Sequence, residues 1–363
     1  MYKILRHLLF RLDPEIAHQL TLQLIRLGGL EPFHSILRAI YSAPSKPVKA
    51  FGLTFKNPIG LAAGYDKDAV AIKGLSTLDF GHVEVGTVTP KPQPGNPRPR
   101  VFRLLEDEAV INHMGFPSKG ADFVAMSLRG AARKAPRRGN LPTNTETRAP
   151  NANIGIASGM NSPRNDMIIG VNLGKNKDTP LEEAARDYVK LMNVFAPLAD
   201  YLTINISSPN TVGLRRLQSR DMLENLLGKL NAERGAWNVK RPILVKIAPD
   251  LSEEELSDAI GVILDTDMNG IIATNTTLAR EGLRSKHQTE TGGLSGSPLR
   301  ARSEAVLRQA IKRVDGKIPI VSVGGIMSPE DAKRRLDLGA TLVQIYTGLI
   351  YQGPGLVKKI LKH

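Results

Sequence analysis

The chain has 363 residues, 41% of them hydrophobic and 23% charged, with no cysteine and a formal net charge of +14. The length suits one barrel-sized domain with an appendage, or two ordinary domains, and the basicity favours anionic partners or serves solubility alone. The lack of cysteine excludes disulfides, thiolate metal sites and a cysteine nucleophile, and no run approaches the ~18–20 apolar residues that span a bilayer.

From the amino terminus, Ile4, Leu5, Leu8, Leu9 and Leu12 fall at helical spacing with a basic opposite face. Lys3, Arg6 and Arg11 interrupt this stretch and no cleavage-like end follows it, so it is not a secretory signal. "DPEIAHQLTLQLIRLGG" predicts a second helix, with Asp13 as N-cap, Pro14 in the first helical position and Gly28 or Gly29 as the stop. Ile16, Leu20, Leu24 and Leu27 form its stripe. Two such helices pack on a main domain or lie in a membrane interface. Five Lys/Arg against three Asp/Glu over residues 1–41 leave only +2, a weak electrostatic attraction. "SAPSKPVKAFG" reads as a linker, dividing an extension at 1–45 from a main unit at 46–363.

Eight short apolar runs follow: "PIGLAAG", "HVEVGTV", "MIIGVNLG", "YLTINIS", "ILVKIAP", "GIIATNT", "PIVSVGGI" and "LVQIYTG". Most precede a helix-like segment. That alternation predicts a parallel sheet, and eight units predict an α/β fold of the (β/α)8 TIM-barrel type. A doubly wound sheet is the alternative, but no strand–GxGxxG–helix fingerprint occurs. Residues 136–167, rich in Asn, Pro, Gly, Ser and Thr, read as a flexible insertion. Arg129, Arg133, Lys134, Arg137 and Arg138 beside it read as solvated surface rather than a nucleic-acid site, because no aromatics are interleaved.

Polar residues collect where the strands end, which is where barrels of this type hold their active sites. Lys67 follows strand one, and Thr87 ends strand two. Asn172 lies in strand three. Asn205, Ser207, Ser208 and Asn210 end strand four. Lys246 sits in strand five, and Thr274, Asn275 and Thr276 end strand six. Each amide offers donors and an acceptor, matching a ligand with alternating N–H and C=O groups such as a cyclic imide or a flavin ring. Lys246, flanked by Leu244, Val245 and Ile247, needs an anion or loses its charge. Glu84 is one internal partner for it; a ligand that becomes anionic during turnover is the other. Gly324–Gly325 and Tyr346–Thr347–Gly348 fit the common barrel phosphate site. There is no paired-carboxylate constellation, HExxH or P-loop, and no metal site is expected.

The segments "NPIGLAAGYDKD", "EVGTVTPKPQPGNPRPRVFRL", "AVINHMGF", "INISSPNTVGLR", "VKIAPDLS", "IATNTT", "TGGLSGSPL", "VSVGGI" and "LVQIYTG" closely resemble the dihydroorotate dehydrogenases of the membrane-associated, quinone-dependent class. The resemblance runs from the first helices to the last and omits only the insertion. It implies an FMN barrel that oxidises (S)-dihydroorotate to orotate in pyrimidine biosynthesis and passes electrons to a membrane quinone. By resemblance, Ser208 is the base for the C5 proton and Lys246 stabilises the reduced flavin. Lys67, Asn112, His113, Met114, Gly115, Phe116, Asn205, Asn210, Asn275 and Thr276 would meet the substrate. Ala63, Gly64, Tyr65, Asp66, Lys67, Thr87, Asn172, Asn205, Lys246, Thr274, Gly296, Gly325, Tyr346 and Thr347 would hold FMN. His18, Arg103 and Tyr346 would line a quinone path through the paired helices, and "TVGLRRLQ" would be a mobile lid.

His113 stands where the family usually has arginine, and the insertion is longer than the family's. The expected setting is peripheral, on the cytoplasmic face of a bacterial inner membrane, with no nucleic acid and no required partner protein. The alternatives are another FMN barrel oxidoreductase, acting on a related pyrimidine or a 2-hydroxy acid, and a surface- or nucleic-acid-binding protein on a barrel scaffold. The latter needs no Ser208 and Lys246 together.

Overall fold

The structure is a computed structural model describing residues 2–132, 167–236 and 239–363. The expected insertion, apart from Met167, lies outside the described residues, as do Arg133, Lys134, Arg137 and Arg138.

Three helices open the chain, α1 (Tyr2–Leu9), α2 (Pro14–Gly28) and α3 (Phe33–Tyr41). Asp13 caps α2 as expected, accepting from the backbone N–H of Glu15 at 2.9 Å and of Ile16 at 3.0 Å. Such a cap contributes about 1 kcal/mol. The third helix corrects the expectation of two. Phe33, Ile36 and Ile40 lie on one face of it, and all are exposed. It opens directly after Pro32 with no side-chain N-cap, so no start signal marks it in the sequence.

A hairpin of β1 (Val48–Ala50) and β2 (Leu53–Phe55) comes next. Then follow β3 (Ile59–Leu61), α4 (Ile72–Ser76), β4 (His82–Val88), β5 (Val101–Leu104), β6 (Ala109–Asn112), α5 (Ala121–Ala132), β7 (Ile168–Leu173), α6 (Ala184–Phe195) and β8 (Tyr201–Asn205). The chain continues through α7 (Arg220–Ala236), β9 (Ile243–Ile247), α8 (Glu253–Asp265), β10 (Gly270–Ala273), β11 (Gly293–Gly296), α9 (Arg300–Val314) and β12 (Ile320–Val323). It ends with α10 (Pro329–Asp337), β13 (Leu342–Ile345), α11 (Thr347–Gln352) and α12 (Leu356–Lys362).

Strands β3, β4, β7, β8, β9, β10, β12 and β13 close into a parallel barrel, and each is one of the eight apolar runs. Residues alternate between its two faces. Val83, Val85, Leu202, Ile204, Ile243 and Val245 pack outward in the large core beneath the helices. Tyr201, Leu244, Ile272, Val321 and Leu342 fill the interior at the amino-terminal end, where the hairpin's Phe55 closes the floor. The rings of Phe55 and His82 meet edge-on at 5.4 Å. Two glycines make room for inward aromatics: a methyl group on Gly60 would collide with the His82 ring, and one on Gly170 with the Tyr201 ring.

A separate antiparallel sheet, β11–β6–β5, was not foreseen. Tyr351 anchors it to α11 by donating to the carbonyls of Leu104 at 3.1 Å and Ala109 at 2.9 Å. It carries Arg103, Asn112 and Gly296 to the carboxyl end of the barrel.

Candidate active site

A cavity of about 490 Å³ extends from the carboxyl ends of the barrel strands to α1, α2 and α3. Of the residues assigned from the sequence to catalysis, substrate, cofactor or quinone, all line it except Asp66, Asn172 and His113. Asp66 turns its buried carboxylate away to accept from the backbone N–H of Val70 at 2.9 Å and Ala71 at 2.8 Å. Burial holds that carboxyl above its usual range, and these two bonds oppose the shift. His113 contributes backbone bonds to Arg100 and Asn96, while its buried Nδ1 has no partner. Asn172 stands one layer behind the cavity wall.

An array of amides begins there. Asn172 Nδ2 donates to Glu84 Oε1 at 2.8 Å, and Asn172 Oδ1 accepts from Thr87 Oγ1 at 2.6 Å and Asn205 Nδ2 at 3.0 Å. Asn205 Oδ1 accepts from Ser207 Oγ at 3.2 Å and Asn275 Nδ2 at 3.2 Å. Thr203 donates to Glu84 Oε2 at 3.1 Å. The polar face of β8, matched from the sequence to a ligand, is thus satisfied in large part by the protein itself. Ser208 and Asn210 do face the cavity. The backbone N–H of Asn210 donates to Ser208 Oγ at 3.2 Å, and Asn210 Nδ2 donates to Asn112 Oδ1 at 2.9 Å.

Lys246 is 5% exposed and makes no hydrogen bond or ion pair among the described residues. Burial lowers its pKa, and the attraction of Glu84 opposes that. Glu84 is not its direct ion-pair partner, because the glutamate's oxygens are taken by Asn172, Tyr201, Thr203 and Gln344. Lys67 donates to the Gly64 carbonyl at 2.6 Å, and burial lowers its pKa to about 8.

On the helical side, the His18 and Tyr65 rings meet edge-on at 5.1 Å, and Tyr65 meets Tyr346 at 5.9 Å. Burial holds His18 down at about 4, so its imidazole is neutral near pH 7, and holds Tyr346 up at about 12. Arg103 donates to the carbonyls of Leu9 and Leu12 and lies 4.9 Å over the Phe10 ring, fixing the end of α1. Arg100 and Glu15 form a buried ion pair at 2.7 Å that ties α2 to the loop before β5. In that loop Asn96 donates to the Asn210 carbonyl at 3.1 Å.

The segment read as a lid is mostly packed. Leu214, Leu217 and Gln218 are buried in a short 3-10 helix, Leu214–Gln218. Arg215 there donates to Ser207 O at 3.0 Å and Thr276 O at 2.8 Å and pairs with Asp250 at 2.7 Å. Val212, 91% exposed, is its free tip. Sequence reasoning missed Gln344 and Ser295, both at the cavity, and the Arg100–Glu15 pair. Gln344 in "LVQIYTG" carried the same signal as Lys246 in "ILVKIAP", a polar residue at an inward position of an apolar strand.

The pattern of the family described as dihydroorotate dehydrogenase matches residues 46–363. Relatives named "Dihydroorotate dehydrogenase (quinone)" include one from Idiomarina loihiensis, 44% identical over 370 residues and covering 100% of both chains. Another, from a Roseiflexus species, is 45% identical over 363 residues, covering 99% of this chain and 92% of that one. A crystal structure of DHODH in complex with ferulenol from Eimeria tenella superposes with a TM-score of 0.81 at 38% identity, covering 96% of this chain and 90% of that one. With the barrel, the amide-lined cavity and relatives matched over their whole length, the chain belongs to the dihydroorotate dehydrogenase family.

Proposed function

We propose that the chain oxidises dihydroorotate to orotate in pyrimidine biosynthesis, with FMN as hydride acceptor and a membrane quinone as final electron acceptor. One observation carries this reading. A single cavity joins Ser208 and the amide array to the apolar helices, so a water-soluble and a lipid-soluble reactant can reach one centre.

The residues fit a flavin. Lys246 brings a cation with no protein hydrogen bond among the described residues, and Gln344 brings a buried Oε1 with no partner. The glycines Gly324, Gly325 and Gly348, with the hydroxyls of Ser295 and Thr347, supply a phosphate end. FMN, when bound, supplies a two-electron acceptor that takes the substrate's C6 hydride. Lys246 stabilises negative charge on the ring system beside it. Lys67 holds the substrate carboxylate, and Asn112, Asn210 and Asn275 hold its imide edges.

Ser208 removes the C5 proton. A serine is a weak base at its free pKa and needs help from its neighbours. The Asn210 N–H bonded to Oγ stabilises the charge that develops there. The buried Thr211 hydroxyl, unpartnered and three residues on, is placed in sequence to pass the proton outward with water.

The helical extension supports the quinone half. Twelve of the sixteen exposed large hydrophobics among the described residues fall between Ile4 and Ile40. Leu5 and Leu24 are both exposed and part of the cavity wall, so the cavity reaches this apolar face. No helix among the described residues is long and apolar enough to cross a membrane, and peripheral attachment through this face is the proposed mode. The test is an anaerobic absorbance spectrum of the purified protein. Flavin bands that bleach with dihydroorotate and return with a quinone are the expected result; bands that stay oxidised in dihydroorotate would refute the substrate.

A further inference from the structure

The interior of the barrel holds a carboxylate that touches neither the cavity nor solvent. Glu84 on β4 is fully buried, and four donors converge on it. Asn172 Nδ2 reaches Oε1 at 2.8 Å, while Tyr201 OH, Thr203 Oγ1 and Gln344 Nε2 each reach Oε2 at 3.1 Å. A carboxylate accepts and does not donate, whereas an amide presents a donor on one side and an acceptor on the other. Wherever an amide meets Glu84, its NH2 must therefore turn toward Glu84 and its oxygen away.

That constraint propagates. With Nδ2 on Glu84, Asn172 turns Oδ1 toward Thr87 and Asn205. Asn205 then offers Nδ2 to Asn172, and its Oδ1 accepts from Ser207 Oγ, from Asn275 Nδ2 and, at 3.3 Å, from the backbone N–H of Ser207, a fixed donor that favours the same orientation. Asn275 in turn directs Oδ1 to the backbone N–H of Thr276 at 2.8 Å. On the opposite wall, Gln344 spends Nε2 on Glu84, and its Oε1 is left buried without a partner. Asn205, Asn275 and Gln344 all line the cavity. Glu84 is the one acceptor-only group in the array.

We propose that Glu84 is a positioning residue that fixes which edge Gln344 turns to the cavity and, together with the backbone N–H groups of Ser207 and Thr276, the polarity of the Asn172–Asn205–Asn275 array, and through them the donor and acceptor pattern that flavin and substrate meet. The proposal rests on the reading of the cavity as an FMN and orotate site. A glutamine at position 84 has nearly the same shape but can present either edge to Asn172. Gln344 can then turn either edge to position 84, so the atom it shows the cavity is no longer always an acceptor, while Asn172 loses its charged acceptor and the backbone N–H groups of Ser207 and Thr276 alone orient Asn205 and Asn275.

The test compares the full-length wild type with Glu84→Gln and with the exchange Glu84→Gln/Gln344→Glu. Glu84→Gln is expected to weaken binding of FMN to apoprotein, or of orotate to the flavin-loaded protein, by about tenfold or more, the worth of one mispaired buried amide. The exchange returns a carboxylate to the cluster. The amide now at position 84 donates to that carboxylate and again accepts from Asn172, so affinity recovers. Glu84→Gln with a wild-type melting temperature and both affinities within twofold of wild type would overturn the proposal. A folded exchange variant that recovers either affinity supports it.

Neutron diffraction of wild-type crystals decides the matter if neither variant folds. Deuterons on the Asn172 nitrogen facing Glu84 are required, and an oxygen found there would overturn the proposal. Wild type that binds neither FMN nor orotate would sink the functional reading instead, leaving the neutron result to judge Glu84.

Discussion

The barrel and the helical extension handle polarity in opposite ways. The barrel buries Glu84, Asn172, Asn205, Lys246 and Gln344 in its interior, and α1–α3 expose most of their large apolar side chains. Burying an amide costs free energy unless it is paired, and exposing leucine costs hydration. Neither region is therefore complete in water alone. On the function proposed above, ligands would complete the barrel's polar interior, and lipid would cover the extension's apolar exterior. The Glu15–Arg100 ion pair and Arg103 help to hold the two together, beside the bonds of Tyr2 and Arg6 to the carbonyls of Ile350 and Tyr351 and the packing of Leu22 and Ile25 on the barrel's core.

The sharpest test on the barrel side is Ser208→Ala. Removing a general base lowers the rate by about 10²–10⁴-fold. Stopped-flow flavin reduction by dihydroorotate should show that loss with orotate affinity retained; a loss below tenfold would assign the proton to another group.

The joint between the regions comes next. Glu15→Ala leaves Arg100 buried without its counter-charge, and breaking such a pair costs about 3–5 kcal/mol. Urea unfolding measures it, and a cost under about 1 kcal/mol, the worth of a surface pair, would mean that the extension docks without this bond.

On the extension side, Ile16→Glu combined with Ile36→Glu should cut sedimentation with phospholipid vesicles at least about tenfold, since each buried aliphatic side chain is worth about 1.5–3 kcal/mol. Flavin reduction by dihydroorotate should not change. Undiminished vesicle binding would remove α2 and α3 from the membrane face.

The gentlest test is pH. Burial lowers Lys67 to about 8, so its charged form is lost as pH rises through that value. A carboxylate ligand favours the charged form, and orotate affinity should fall by up to about tenfold per pH unit above 8. Affinity that stays flat from below to above that value would detach Lys67 from the carboxylate.

Much of the barrel was legible because parallel strands buried on both faces read as apolar runs, and a Lys246 inside such a run cannot be accidental decoration. The hairpin and the β11–β6–β5 sheet were not, because strands of three or four residues carry too little alternation to register. Residues that line the cavity were legible where they ended a barrel strand. Asp66 and Asn172 have the right residue type beside the right motif, and only packing reveals that one caps backbone and the other stands behind the wall. Gln344 and Glu84 each stand as a polar residue in an apolar strand, but the pairing of Glu84 with Gln344 and with Asn172 spans 260 and 88 positions, which no local pattern announces.

Leu5 and Leu24, exposed and yet part of the cavity wall, change what a concentration means for this protein. With the peripheral attachment proposed above, a hydrophobic reactant entering beside them would be drawn from a two-dimensional film, not from the surrounding volume. Its half-saturation point is then a mole fraction among lipids. Diluting the same quinone with more vesicles should slow turnover even though the amount per millilitre stays fixed, while dihydroorotate, arriving from water, should show no such dependence.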